Sequence, residues 1–241
     1  MTCLILIDII AIIINMETSL KGVQTMGRFF RYDNPVMMGL GKVMDLIALS
    51  VMWLLCSIPV ITIVPATAAL YYVTLKIARK EEYRVVFGFF RAFRDNLKQG
   101  IGLSAAFMAA GALLYLDYRI MTLQGESLNS VLQTVFLLFA VITAAVMLYT
   151  FPLQAQFENR IFRTLKNAML LALIKLPNTL LLMMIHSVPV LVILVSPTIM
   201  AKTLPLWLIL FPATAAYLSS LRFVKVTAPL IAEKKDVEAE I

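Results

Sequence analysis

Residues 45–80 read DLIALSVMWLLCSIPVITIVPATAALYYVTLKIARK, and this stretch decides how the rest of the chain enters a membrane. It is an apolar run of about 30 residues, interrupted by Pro59 and Pro65 and closed by a basic cluster at residues 76–80. A run of this length can cross a bilayer once as a single helix. It can also enter as two short helices that meet at the prolines, because proline interrupts the hydrogen bonds of a helix.

The composition of the whole chain indicates a polytopic membrane protein. Of its 241 residues, 61% are hydrophobic and only 15% are charged, and the mean hydropathy is +0.89. A soluble domain carries roughly 25% charged residues. We therefore predict an all-α fold, a polytopic transmembrane helix bundle. The predicted membrane segments lie at about 43–58, 62–78, 100–121, 130–152, 176–200 and 204–223.

The distribution of basic residues bears on whether the first apolar run crosses once or twice. A single helix over residues 43–64 would place six basic residues outside the cell and fifteen inside. Two helices leave only Arg119 and Lys202 outside, which the positive-inside rule favours. Each arm of such a pair is only about 24 Å long, and a re-entrant hairpin reconciles the two facts if other helices cover its turn. We predict six membrane segments with both termini cytoplasmic, and five segments remain the alternative.

The first pair of segments is thus predicted to be a proline-broken hairpin. Thr62 and Thr67 lie close to its turn and can hydrogen-bond to the carbonyl groups that the prolines leave without a donor.

The beginning of the chain differs from the rest. The apolar run at residues 4–14 is too short to span a bilayer, and no basic residue precedes it as in a signal peptide. Met16 and Met26 offer alternative starts, so we interpret residues 1–25 as an N-terminal extension that is either not native or interfacial. The membrane domain then covers residues 26–232, and a charged cytoplasmic tail covers residues 233–241.

Two predicted cytoplasmic segments, residues 79–99 and 156–167, combine an apolar stripe at helical spacing with several cations. This pattern is typical of a helix that lies in the membrane interface before the chain turns inward. The cations anchor the protein to lipid headgroups or form a docking surface for a partner protein. The candidate docking residues are Arg91, Arg94, Lys98, Arg160, Arg163 and Lys166.

Two polar residues are candidates for an intramembrane function. Asp45 can serve ion or proton coupling, but it lies within a turn of Lys42 at the membrane edge, which favours pairing with that lysine. His186 lies in the middle of a span. No acidic residue or cysteine lies within two turns of it, so a hydrogen bond to the backbone of a neighbouring helix or to Ser187 is the simpler interpretation.

A short sequence occurs twice in the chain. Residues 65–71 read PATAALY and residues 212–218 read PATAAYL. Small residues let helices approach closely within lipid, so the repeat predicts two equivalent helices that pack together. The first copy begins with Pro65, Ala66, Thr67, Ala68 and Ala69.

The sequence contains few groups suited to catalysis or cofactor binding. Cys3 and Cys56 lack the spacing of a metal site, and no known catalytic motif is present. We expect neither an enzyme nor a bound cofactor. The net charge of +7 resides in short loops between apolar spans, which indicates contact with the lipid bilayer and excludes nucleic-acid binding.

From residue 26 onward the chain resembles the YesL family, small integral membrane proteins of Gram-positive bacteria with no assigned biochemical activity. The resemblance is carried by FFRYDNP at 29–35, WLLCSIPV at 53–60, PATAALYY at 65–72, FFRAFR at 89–94, FP at 151–152 and RTLKNA at 163–168. It implies a plasma-membrane protein, commonly encoded beside carbohydrate-uptake ABC systems and sugar-sensing two-component regulators. The family offers no accepted catalytic or binding residues to carry over.

Two functions follow from these features. The first is an accessory or regulatory membrane protein that associates with a carbohydrate ABC permease or a sensor kinase. The alternative is a small transporter or channel for a saccharide or an ion, which would use Asp45, His186 and the proline-broken spans. The sequence leaves the state of homo-oligomerisation open.

Overall fold

The computed structural model describes residues 35–123, 129–157 and 161–239, and within these ranges the chain is helical apart from short turns. Contacts divide the chain into two compact units, Met1–Met44 and Asp45–Ile241. Of the first unit, the described part is the beginning of the first helix. The helices are α1 (Pro35–Cys56), α2 (Ile63–Arg79), α3 (Val85–Leu123), α4 (Asn129–Gln156), α5 (Ile161–Ile174), α6 (Leu176–Val195) and α7 (Pro197–Ala239).

Six stretches within these helices are long and apolar enough to cross a membrane. They are Gly39–Cys56, Val60–Arg79, Val85–Ile120, Gln133–Gln156, Leu176–Val195 and Pro197–Thr227. The predicted all-α, multi-pass membrane fold is therefore confirmed.

The hairpin between α1 and α2 is closed by the side chain of one threonine. A 3₁₀ turn, Val60–Thr62, joins the two helices. The Thr62 hydroxyl donates to the carbonyl oxygens of Cys56 at 2.6 Å and Pro59 at 2.7 Å. These bonds supply donors to carbonyl groups where the helix stops, in a region that offers little water.

Thr67, one turn into α2, also forms side-chain hydrogen bonds near the turn. Its hydroxyl donates to the Ile63 carbonyl at 2.7 Å and accepts a hydrogen bond from the Trp53 indole nitrogen at 3.0 Å. Thr62 thus bonds to carbonyl groups of the proline turn as predicted, whereas Thr67 bonds to a carbonyl that its own backbone N–H can serve. Trp53 ties α1 to α2.

α2 is the central helix of the second unit. Sixty-one per cent of the Val60–Arg79 stretch is buried, compared with 11–28% of the other five apolar stretches. It packs against α3, α4 and α7. The small residues of its first turns, including Ala66, Ala68 and Ala69, are fully buried and allow these close contacts.

The two copies of the repeated sequence lie on helices that pack against each other, as the repeat predicts. Thr74 of α2 and Ser220 of α7 share a hydrogen bond of 2.9 Å between buried hydroxyl groups. The backbone N–H of Ala213, within the second copy, donates to the Ser50 hydroxyl of α1 at 3.1 Å. The middle of α7 therefore joins both arms of the hairpin.

α3 corrects the prediction that residues 79–99 form an interfacial helix separate from the following span. It runs unbroken for 39 residues, or about 58 Å at 1.5 Å per residue. The expected turn near residue 100 is absent because no proline interrupts the helix. Gly100 and Gly102 remain helical there and instead provide room for Pro65 and Ile161.

Two further boundaries differ from prediction. The last two spans meet at Ser196 and not near residues 201–203, because Ser196 is extended (φ −156°, ψ 96°) and Pro197 begins the next helix. Most of the predicted interfacial segment 156–167 belongs to α5, a separate helix that ends at Ile174. Lys175, two residues before Pro177, separates α5 from α6. The backbone of the predicted tail is helical as far as Ala239.

The turn of the hairpin lies about halfway along α3. Gly100 of α3 contacts Pro65, and Gly88 contacts Val73, so α2 runs antiparallel to the first half of α3. Beyond Gly100, α3 continues for another 23 residues, or about 34 Å, which is a full bilayer core. The hairpin therefore lies beside the first, charged half of α3.

The expected cover of this turn is partial, because α3 packs against the 3₁₀ turn but leaves some of its side chains exposed. Ile58 and Val60 expose 73% and 62% of their surface. Hydrogen bonds from Thr62, and not neighbouring helices, satisfy the backbone of the turn.

Candidate functional site

The first half of α3 carries its cations on the surface. Arg91, Arg94 and Lys98 are exposed, whereas Ala92 and Phe93 between them are buried in the core. Arg91 lies 3.9 Å from Asp95, one turn further on, and both side chains are largely exposed. A surface ion pair of this kind contributes little to stability. The cations are therefore available for contacts outside the protein.

α5 packs against this half of α3 through a polar contact. The Gln99 amide nitrogen donates to the hydroxyl of the buried Thr164 at 3.2 Å, and Gly102 contacts the Ile161 side chain. The residues preceding each partner, Lys98 and Arg163, are exposed. The two predicted basic segments, distant in sequence, thus belong to helices that contact each other.

We call the resulting surface the basic face. It consists of Arg91, Arg94 and Lys98 of α3 with Arg163 and Lys166 of α5, all exposed. Arg160, also predicted to belong here, lies outside the described residues.

An amide cavity of about 290 Å³ lies among α2, α3 and α4, beside the same half of α3. Gln154 is only 3% exposed, and neither atom of its side-chain amide has a hydrogen-bond partner. The amide nitrogen of Gln156 is likewise buried without a partner. The lining residues are Tyr72, Arg91, Ala92, Asp95, Asn96, Gln99, Gln154, Ala155, Gln156 and Phe157.

A second, larger cavity of about 570 Å³ adjoins the first, because Tyr72 and Arg91 line both. Its other residues come from the end of α2, the following turn and the start of α3. The Lys76 ammonium nitrogen lies 5.0 Å from the centroid of the Tyr72 ring, within the range of a cation–π contact. Glu81, Glu82 and Arg84 add further charges to the lining.

Asp45 accepts a hydrogen bond of 2.7 Å from the hydroxyl of Tyr83, which lies in the turn between α2 and α3. Burial raises the pKa of Tyr83 to about 12, and the hydrogen bond to Asp45 and its negative charge add to the effect. This carboxylate therefore secures the turn before α3 against the beginning of the hairpin.

His186 bonds within its own helix. Its Nδ1 atom lies 3.0 Å from the Leu182 carbonyl oxygen, and the Ser187 hydroxyl donates to the Met184 carbonyl at 3.0 Å. The sequence predicted a bond to a neighbouring helix or to Ser187, whereas the carbonyl that His186 contacts belongs to α6 itself. Within residues 35–123, 129–157 and 161–239, no three His, Cys, Asp or Glu side chains gather in a way that would hold a metal ion.

The buried amides were not among the residues predicted from the sequence. Gln154 and Gln156 follow an apolar span, where polar residues ordinarily mark the membrane boundary, and nothing in the pattern shows that one of them faces inward. The one usable signal was the number of amides near the ends of two neighbouring apolar segments: Asn96, Gln99, Gln154 and Gln156.

The helices and their contacts define a polytopic all-α membrane protein whose polar side chains gather around the first half of α3. Residues 46–118 match a family described as "Protein of unknown function, DUF624". The chain is also similar to the "Uncharacterized protein YesL" of Bacillus subtilis (strain 168), with 32% identity over 144 residues, which is 58% of this chain and 68% of that protein. The protein belongs to the YesL-like family. No solved structure matches it.

Proposed function

We propose that this protein is an accessory or regulatory component of carbohydrate uptake, which docks onto an ABC permease or a sensor kinase through the basic face. The observation that carries the proposal is the Gln99–Thr164 contact, because it joins the two helices that carry these exposed cations. No catalytic activity is part of the proposed role.

The chemistry of the basic face suits an acidic protein surface. Its five cations come from two packed helices, so their spacing is held by the fold. Complementary charges on a partner would speed the encounter and select the orientation of docking. The assignment to carbohydrate uptake is supported by the resemblance alone, since members of the family are commonly encoded beside such systems.

We further propose that the protein resides in the cell membrane with both termini in the cytoplasm. Nineteen of its 21 basic residues then lie on the cytoplasmic side, and the basic face would meet cytoplasmic domains of the partner. Fusions of a fluorescent protein and of an exported phosphatase to the C-terminus test the orientation. We expect fluorescence and no phosphatase activity, and the reverse pattern would contradict the proposal.

The docking itself is tested by copurification of the tagged, full-length protein from its native host, grown on a complex polysaccharide and extracted with a gentle detergent. We expect a permease or a sensor kinase to be recovered in stoichiometric amount. The combined variant Arg94→Glu, Lys98→Glu and Arg163→Glu should lose this partner at unchanged membrane levels. A matched control, Lys202→Glu, alters an exposed cation of the predicted outer side and should retain it.

Recovery of the protein alone, as a monomer or homo-oligomer, would contradict docking and favour the alternative of a small transporter or channel. Flux measurements in liposomes would then compare the wild type with the Asp45→Asn, His186→Ala double variant. Both residues already have hydrogen-bond partners in the fold, so a transport role requires that these bonds exchange during the cycle.

A further inference from the structure

The buried amide of Gln154 requires a physical explanation. Its side chain is 97% buried, since only 3% is exposed, yet its nitrogen and oxygen both lack partners. Burying a polar group without a hydrogen bond typically costs about 1–3 kcal/mol. Proteins rarely leave such groups unsatisfied unless water or a ligand occupies the space beside them.

The space beside Gln154 is large enough for a ligand. The amide cavity measures about 290 Å³, whereas a water molecule occupies about 30 Å³ in the liquid. It therefore has room for a molecule of the size of a monosaccharide. Arg91 and Asp95 at its edge are exposed, so the cavity is reached from the charged, water-facing side of α3.

The lining determines the chemical class of this ligand. A primary amide has a donor, its NH₂ group, next to an acceptor, its carbonyl oxygen. It pairs best with a ligand that presents an acceptor next to a donor. Asn96, Gln99 and Gln156 add further amides around Gln154. A molecule with hydroxyl groups on successive carbon atoms can serve several amides at once, because each hydroxyl both donates and accepts.

The charges and rings of the cavity agree with this class. Arg91 and Asp95 have opposite charges and lie 3.9 Å apart, so together they do not select an anion or a cation. Tyr72 and Phe157 provide apolar ring surface for the carbon–hydrogen face of a ligand. We infer that the amide cavity is a binding site for a small neutral polyhydroxylated molecule, a monosaccharide or polyol. This site goes beyond the proposed docking and does not depend on it.

Saturation-transfer difference NMR on the full-length protein in nanodiscs tests the inference, with D-glucose, D-galactose and myo-inositol as separate probes. We expect saturation transfer to the ring protons of at least one probe. The variant Gln154→Leu keeps the volume of the side chain and removes the amide, so it should weaken binding at least about tenfold. Gln133→Leu, an exposed glutamine on the same helix, should leave binding unchanged.

A second variant, Gln156→Leu, keeps the inference testable if Gln154→Leu fails to accumulate, and it should also weaken binding. Absence of saturation transfer to all three probes would overturn the inference and assign the cavity to water. Transfer that persists in the glutamine variants would overturn it as well, because the probe would then bind elsewhere. Loss of the docking partner with binding intact would contradict only the proposed function.

Discussion

Gly100 of α3 and Pro65 of α2 meet at the closest approach that a glycine allows. A Cβ atom on Gly100 would lie 2.7 Å from the Cβ atom and 3.0 Å from the Cα atom of Pro65. Pro65 is buried and cyclic, so it cannot rotate away as a flexible side chain would. This contact sets the position of the hairpin along α3.

The first prediction concerns that contact. Gly100→Ala should lower the free energy of unfolding by about 1–3 kcal/mol, because the added methyl group forces the two helices apart. Gly111→Ala, on the same helix with open space around it, should be neutral or raise stability by up to about 1 kcal/mol. Thermal unfolding in detergent measures both. Equal midpoints for the two variants would contradict the close packing.

A second prediction concerns the turn of the hairpin. Thr62→Val keeps the shape of the side chain but removes the hydroxyl that donates to the Cys56 carbonyl. The Pro59 carbonyl loses this donor too but keeps the Thr62 backbone N–H at 2.8 Å. We expect a loss of about 1–3 kcal/mol in the free energy of unfolding. Thr203→Val is the matched control, because its hydroxyl donates to the Ile199 carbonyl within α7, which the helix itself can satisfy. An equal loss in the control would show that the hydroxyl bonds of the turn contribute no more to stability than a hydroxyl bond within a helix.

A third prediction concerns the pH dependence of Tyr83. The pKa of its hydroxyl rises from 10.0 to about 12, so the folded protein retains this proton where the unfolded chain has lost it. The associated stability is fully present below pH 10 and is lost as the pH rises through about 12.

Ultraviolet titration of tyrosinate measures this directly, as the difference between the wild type and Tyr83→Phe. We expect the missing hydroxyl to titrate near the upper end of that pH range. The thermal midpoint of the wild type should also fall more steeply above pH 10 than that of the variant. A difference titration centred on pH 10 would mean that the bond to Asp45 does not form.

A fourth prediction concerns the depth of the hairpin. In a chain freed of its cysteines by Cys3→Ser and Cys56→Ala, single cysteines report access of a membrane-impermeant maleimide. Whole cells should label Tyr118→Cys, near the far end of α3, but neither Ile58→Cys at the turn nor Arg84→Cys. Inverted vesicles should label Arg84→Cys. Labelling of Ile58→Cys from outside at the rate of Tyr118→Cys would show that the hairpin crosses the bilayer completely.

Much of this fold can be predicted from hydropathy, because the length of an apolar stretch and the position of a proline determine where each helix begins and ends. The six apolar stretches, the hairpin at Pro59 and Pro65, and the carbonyl bonds of Thr62 were predictable in this way. The continuity of α3 was not. Its charged first half and apolar second half differ in composition, yet a change of composition does not bend a helix unless a residue such as proline breaks its hydrogen bonds.

The candidate site was predicted less completely than the fold. The cations of the basic face could be named from their periodicity, but only the Gln99–Thr164 bond shows that the two groups adjoin. The burial of Gln154 depends on which face of α4 packs against α3. The sequence of α4 does not show which face this is, because the helix is apolar on all sides. The pairing of Asp45 with Tyr83 likewise depends on tertiary contact, 38 residues apart.

The bonds between the hairpin and α7 have a consequence for how the protein is made. Thr74 and Ser50 find their partners on residues that are 146 and 163 positions later in the chain. At the usual pace of translation, roughly 7–30 s separate the insertion of the hairpin from the arrival of α7. Until then Ser50 of α1 and Thr74 of α2 lack these partners, although the Thr74 hydroxyl can donate to the Leu70 carbonyl of its own helix. The tertiary hydrogen bonds of the hairpin to α7 therefore form only after residues 213–220 have been made.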